Sequence, residues 1–153
     1  MPATPKLPAL TDHLGYWLRL VSNHVSQGFA RLVEAEGVTV AEWVVLRVLH
    51  DAEDLAPSQL AEAMGMTRGA ISKLADRLLA KGLIARRDNA EDARSHRLRL
   101  TAAGRRLVPK LAALADRNDA AFFAHLTAAE RAAVEQVLRD IVGRRGLTDM
   151  PLD

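Results

Sequence analysis

The chain has 153 residues, 49% of them hydrophobic and 26% charged, which is a globular composition and the length of one ordinary domain. It contains no cysteine, which excludes disulfides, thiolate metal sites and thiol-based redox switching. The net charge of +2 hides an asymmetry: residues 67–106 hold eleven Lys or Arg against four Asp or Glu, a local +7, while the remainder holds ten against fifteen, or −5. A basic segment on an acidic body is an electrostatic footprint for a polyanion.

Residues 1–8 carry one lysine and three prolines and read as a loose arm, not a signal peptide. No apolar run reaches membrane-spanning length, so a cytoplasmic location with no membrane contact is expected. Leu10, Leu14, Trp17, Val21, His24 or Val25, Gly28 and Leu32 then recur at three- and four-residue steps. This spacing predicts a long amphipathic helix from Ala9 to Glu36, ended by Gly37. Its stripe is longer than a small core can cover. Thr39 and Glu42 form a capping box for a second helix reaching about Asp51, with Trp43, Leu46 and Leu49 or His50 along one side. The following AEDLAP reads as a loop.

Pro57 suits the first turn of a short third helix. Ala61, Gly65 and Ile71 have the spacing of a helix-turn-helix. A small residue is needed where two helices touch, a glycine to reverse direction, and a branched apolar residue to anchor the second helix. Thr67 can cap that second helix and Gly82 can end it. Ile71, Leu74 and Leu78 fall on one face, and Arg68, Gly69, Ser72, Lys73 and Asp76 on the other. Leu98 and Leu100 alternate with Arg97 and Arg99, the period of a half-buried strand. Leu83, Ile84 and Ala85 would be its partner, with the polar RRDNAEDARSH as a long charged tip between them. A helix-turn-helix followed by such a wing places its second helix in the major groove and its wing on the neighbouring minor groove.

Thr101 can cap a further helix bearing Leu107, Leu111, Leu114, Asn118, Ala121 and His125. Pro109 within it predicts a kink or a restart. Thr127 to Glu130 is another capping box, with Leu126 before it as a staple. Val134, Val137, Leu138, Ile141 and Val142 form the apolar face of a last helix, which Gly143 and Gly146 help end. The expected fold is mainly α, a single domain over residues 1–153. It is a winged helix-turn-helix (39–104) with a small β-hairpin wing, flanked by long terminal helices (9–36 and 105–145). Burying both terminal stripes calls for a second copy of the chain, hence a homodimer with two reading helices about one DNA turn apart.

Asp92, Arg94, Leu98, Leu100, Thr101 and Gly104 reproduce the D-x-R-x-x-x-L-x-L-T-x-x-G pattern of MarR-type transcription regulators. The preceding SQLAEAMGMTRGAISKLADRLLAKGLIARR resembles that family's helix-turn-helix at matching positions. The resemblance spans roughly Leu7 to Arg145. It implies a homodimeric winged-helix protein that binds double-stranded DNA, often released by a small aromatic or phenolic acid. It also implies that Arg94 enters the minor groove and that Asp92 holds it in place.

For DNA contact the residues name Thr67 and Arg68 at the start of the reading helix, Ser72 and Lys73 near its middle, and Arg77 one turn on, over backbone phosphate. Of Arg86, Arg87, Arg97 and Arg99, at least two read as plain surface charge. An effector site would sit between the long helices and the reading unit, as the resemblance implies. His13, Trp17, Trp43 and Arg47 could there stack on an aromatic ring and pair with its carboxylate. The competing reading makes both tryptophans core or dimer contacts. No Gly-rich phosphate loop, nucleophile elbow or H-E-x-x-H occurs, and the five histidines lack ligand spacing, so neither an enzyme nor a metal or other cofactor is expected. The expected function is a sequence-specific repressor released from a palindromic operator by an aromatic acid. The alternatives are a ligand-independent DNA-binding regulator and a winged-helix protein–protein module.

Overall fold

The computed structural model describes the backbone of residues 1–89 and 92–152, and the side chains of 1–88 and 96–152. Six helices and one hairpin follow in order: α1 (Leu14–Glu34), α2 (Val40–Asp51), α3 (Pro57–Met64), α4 (Arg68–Ala80), β1 (Ile84–Asn89), β2 (Asp92–Leu100), α5 (Ala102–Phe123) and α6 (Ala128–Arg145). No helix among the described residues is long and apolar enough to cross a membrane.

The predicted helix starts follow from local hydrogen bonding. The hydroxyls of Thr39, Thr67, Thr101 and Thr127 each accept the backbone N–H three residues on, at 3.1 Å. Each satisfies a donor that the first helical turn leaves without a partner. At Thr39 and Thr127 the box closes in both directions through Glu42 and Glu130. Gly65, at φ 66°, and Gly146, at φ 61°, end α3 and α6 in the left-handed region, where a Cβ is strained.

Four expectations are corrected. The first helix does not begin at Ala9: a 3₁₀ turn over Leu10–Asp12 comes first, His13 is extended, and α1 starts at Leu14. Asp12 accepts the Ala9 amide at 2.8 Å and so closes that turn on itself. The last helix continues through Gly143 and ends only at Gly146. Of the kink or restart expected at Pro109, the restart is absent: α5 is continuous on both sides of it. Proline removes the hydrogen bond to the Arg105 carbonyl, in the first turn of the helix, and the packing of α5 on the core outweighs that loss. The wing is a longer ladder than the apolar pattern suggested: pairing runs from Ile84 opposite Leu100 to Asn89 opposite Asp92, through the charged residues. Backbone pairing needs no apolar side chain, so a ladder can extend beyond the alternation that reveals it.

The core joins α2, α3, α4, the hairpin and α5. Leu46, Leu49, Leu60, Met64, Ile71, Leu78, Leu98 and Leu111 are its fully buried large side chains. Leu55, placed by sequence in a loop, forms an antiparallel bridge with Leu98 through two hydrogen bonds of 3.0 and 2.8 Å. The hairpin is thereby stitched to the segment before α3.

α1 crosses α5 at Gly28. A Cβ there would fall 2.7 Å from Asn118 Oδ1, and Asn118 Nδ2 donates to the Val25 carbonyl at 3.1 Å. The missing side chain lets a buried amide reach the backbone of the neighbouring helix. By contrast, the first half of α1 and the whole of α6 contain no buried residue. Leu10, Leu14, Trp17, Val21, Val134, Val137, Leu138, Ile141 and Val142 are all exposed by 41% or more.

Candidate nucleic-acid interface

α4 turns its Ile71, Leu74, Ala75 and Leu78 face into the core and leaves the opposite face open. Thr67, Arg68, Ser72, Lys73, Asp76 and Arg77 are exposed. Among the described residues Arg68, Lys73 and Arg77 make no ion pair. Three unpaired cations and a capped helix N-terminus therefore share one surface. That combination attracts phosphate without first breaking an ion pair within the protein.

The far end of α4 is fixed by a contact that sequence reading missed. Lys81 Nζ donates to Glu42 Oε2 at 2.8 Å, Glu42 Oε1 at 3.0 Å and the Gly37 carbonyl at 2.8 Å. Glu42 is only 1% exposed. Burial alone raises its pKa, but the bonds from Lys81 and Thr39 outweigh this and hold the carboxyl below its ordinary value. α4 is thus tied at its C-terminal end to the start of α2. Lys81→Met should destabilise the fold by about 2–3 kcal/mol at neutral pH. This lies at or just below the ~3–5 kcal/mol for orphaning a buried charge, because Lys81 is 38% exposed and water can approach the carboxylate. A lowered folded pKa means that the pair's contribution is present above the ordinary value of 4.5 and fades as pH falls through the folded value. The gap between wild type and variant should therefore narrow as pH falls below 4.5, as read by urea titration at each pH.

The wing arginines separate into two groups. Arg97 Nε binds Asp54 Oδ1 at 2.6 Å, and Arg87 Nη1 lies 3.7 Å from Asp54 Oδ2. These two anchor the wing to the loop before α3, where Glu53 takes a positive φ of 47°. Reading at least two of the four as plain surface charge did not anticipate this shared carboxylate. Arg86 and Arg99 are exposed. Asp92 and Arg94 lie within β2, and their side chains fall outside the described residues.

The four residues named for an effector are spread along α1 and α2. His13 lines a shallow hollow with Leu10, Gly15, Tyr16 and Arg19. Trp43 lines a separate cavity of about 300 Å³ with Val25, Phe29, Val44, Asn118 and Pro151. It meets Phe29 edge-on, with ring centroids 6.4 Å apart. Trp17 donates its indole N–H to the Thr11 carbonyl at 3.0 Å and is half-exposed. Arg47 pairs with Asp51 at 2.8 Å within its own helix. None of the cavities described in this single chain holds more than one of the four. Among the described residues no cluster of metal-ligating side chains occurs.

The family model for the MarR family matches residues 36–95, the winged-helix segment. A Thauera aromatica protein assigned to transcriptional regulation of the hcr operon is 32% identical over 132 residues, which cover 86% of this chain and 80% of that protein. The chain belongs to the MarR family. A helix-turn-helix transcriptional repressor of Mycobacterium tuberculosis is 29% identical over 84% of this chain and 92% of its own length. The fold is that of Escherichia coli MarR in complex with operator DNA, with TM-score 0.75 and 22% identity over 89% of this chain and 99% of that one. Bordetella bronchiseptica BpsR, whose DNA binding is regulated by 6-hydroxynicotinic acid, is 25% identical with TM-score 0.74, over 89% of this chain and 97% of that one. The MarR-family chain is a DNA-binding transcription regulator and not an enzyme.

Proposed function

We propose that the protein is a homodimeric repressor that places two copies of α4 in successive major grooves of a two-fold symmetric operator. The observation that carries this is the pair of uncovered apolar faces. One is the first half of α1 and the other is α6, on which Val134, Val137, Leu138, Ile141 and Val142 stand exposed. Burying one such side chain is worth about 1.5–3 kcal/mol, so ten or so across a symmetric contact exceed the cost of association. Within each reading helix, Ser72 and Lys73 meet base edges, Thr67, Arg68 and Arg77 meet phosphate, and the wing adds Arg94, held by Asp92, in the minor groove. The wing assignment rests on the sequence pattern alone.

Light scattering should give a dimer, and gel shifts on a selected duplex should give one dimer per site. Affinity should fall with salt at a slope of about −0.9 per neutralised phosphate. Deleting residues 1–36 should abolish the dimer. A monomeric complex, or affinity indifferent to salt, overturns the proposal. So does exclusive binding of a protein partner by the α4 face, the outcome expected of a winged-helix interaction module.

The effector reading is narrower. The cavity at Trp43 and Phe29 is the aromatic seat, and its volume of about 300 Å³ suits a single ring. BpsR supplies the precedent of a heteroaromatic acid. Arg47, engaged by Asp51, is replaced in this reading by hydrogen bonding from Ser26 or Asn118 at the cavity wall. His13 and Trp17 belong to the uncovered half of α1 and meet the ligand only across the dimer. In a Trp17→Phe chain Trp43 is the single tryptophan, and salicylate or 6-hydroxynicotinate should change its fluorescence and weaken the gel shift 5- to 150-fold. Flat fluorescence and unchanged DNA binding at millimolar acid favour the ligand-independent regulator.

A further inference from the structure

The chain beyond α6 folds back onto the reading unit. Gly146 reverses its direction in the left-handed conformation, and the Leu147 amide donates to the Val142 carbonyl at 3.1 Å. Three residues later the tail reaches the turn of the helix-turn-helix. A Cβ on Gly65 would lie 3.3 Å from Asp149 Oδ1 and 3.6 Å from Asp149 Cα. Pro151 then helps line the cavity of Phe29 and Trp43, and Leu152 packs, partly buried, against the core. Two residues of extended chain span at most ~7 Å, so the cavity mouth and the α3–α4 turn that the tail touches lie close together.

We propose that residues 147–152 are an autoinhibitory strap that holds the Asp149 carboxylate beside the turn leading into the reading helix. This rests on the DNA-binding reading of α4. Gly65 precedes the cap residue Thr67 by two positions. The carboxylate therefore sits on the order of 10 Å from the helix N-terminus, about one screening length at physiological salt. The N–H groups at that terminus favour phosphate, and a fixed negative charge nearby competes with it. Pro151 and Leu152 supply the apolar hold. Because Pro151 is also a wall of the cavity, an occupant that extends this apolar contact tightens the strap. DNA affinity then falls without any movement of α4 itself.

The test compares three full-fold variants with wild type on one selected operator duplex. Asp149→Asn keeps the strap and removes its charge. Leu152→Asp releases it. A chain ending at Gly146 lacks it. Circular dichroism and Tm establish folding, with Asp149→Asn, on a docked tail, as the variant least exposed to misfolding. Asp149→Asn should bind two- to five-fold more tightly at low salt, the size of a charge effect at a helix N-terminus. The other two should gain at least as much, and all gains should vanish at high salt. Affinities equal to or below wild type in Asp149→Asn and in either folded tail variant overturn the strap. Amide exchange at Met66 reads docking separately, with faster exchange expected once the tail is gone. Equal exchange in the full and shortened chains overturns docking even if no chain binds DNA, an outcome that would fail the DNA reading instead.

Discussion

Replacing Arg68 and Lys73 together by alanine should leave the fold intact and weaken operator binding by about 10²- to 10³-fold. Both side chains are exposed and without ion pairs among the described residues, so neither supports the core. Alanine is the better helix former, and the buried face of α4 is untouched. In a dimer the change removes four cations. A lost base contact by Lys73 costs ~1–3 kcal/mol in discrimination, and each lost phosphate contact by Arg68 lowers the salt slope by about 0.9. Gel shifts at two salt concentrations separate these terms: affinity falls throughout, the slope falls by about 2, and sequence preference relaxes. A folded double variant that binds like wild type would move the DNA-reading surface away from α4.

Gly104→Ala should cost about 3 kcal/mol, enough to lower Tm by roughly 6–12 °C in a chain of this size. Gly104 sits in the first turn of α5, where a Cβ would collide with the Leu83 carbonyl oxygen and lie 3.3 Å from Leu100 Cδ2. The carbonyl cannot retreat freely, because it accepts the Thr101 amide at 3.1 Å and closes the junction between hairpin and α5. Thr101 adds a bond from its hydroxyl to the Gly82 carbonyl at 2.7 Å. Those contacts give a physical reason for the T-x-x-G that ends the wing pattern. A matched control is Gly69→Ala in α4, where a Cβ meets nothing within 4 Å. It should stabilise the helix by roughly 0.5–1 kcal/mol. Equal Tm values for wild type and Gly104→Ala would remove the close approach as the reason.

Much of the interface was legible in the chain because it is built from local rules. The Thr67 cap, the left-handed Gly65 and the alternation of Ile71, Leu74 and Leu78 with exposed Arg68, Ser72 and Lys73 all operate within about one turn of helix. The hairpin is visible in the sequence only where leucines alternate, so its charged half reads as a tip. The surroundings of the residues named for an effector were less legible. Helical spacing put Trp43 and Arg47 on neighbouring turns, but it could not show that Asp51 already engages the guanidinium or that Phe29 meets the indole.

Sequence by itself determined the winged-helix organisation, the helix caps, the exposed basic face of α4 and the excess of apolar stripe at both ends. These depend on periodicity and on hydrogen bonds between residues three or four apart. Tertiary structure alone decided which polar groups are structural and which face solvent. Lys81 closes on Glu42 across 39 residues, Arg97 on Asp54 across 43, and Asn118 on Val25 across 93. In the sequence Lys81 and Lys73 are equivalent cations eight residues apart. They diverge because the chain's path brings a buried carboxylate to one and leaves the other facing solvent. Which charge finds its partner inside the protein is a property of that path, since opposite charges attract over any sequence separation once folding makes them neighbours.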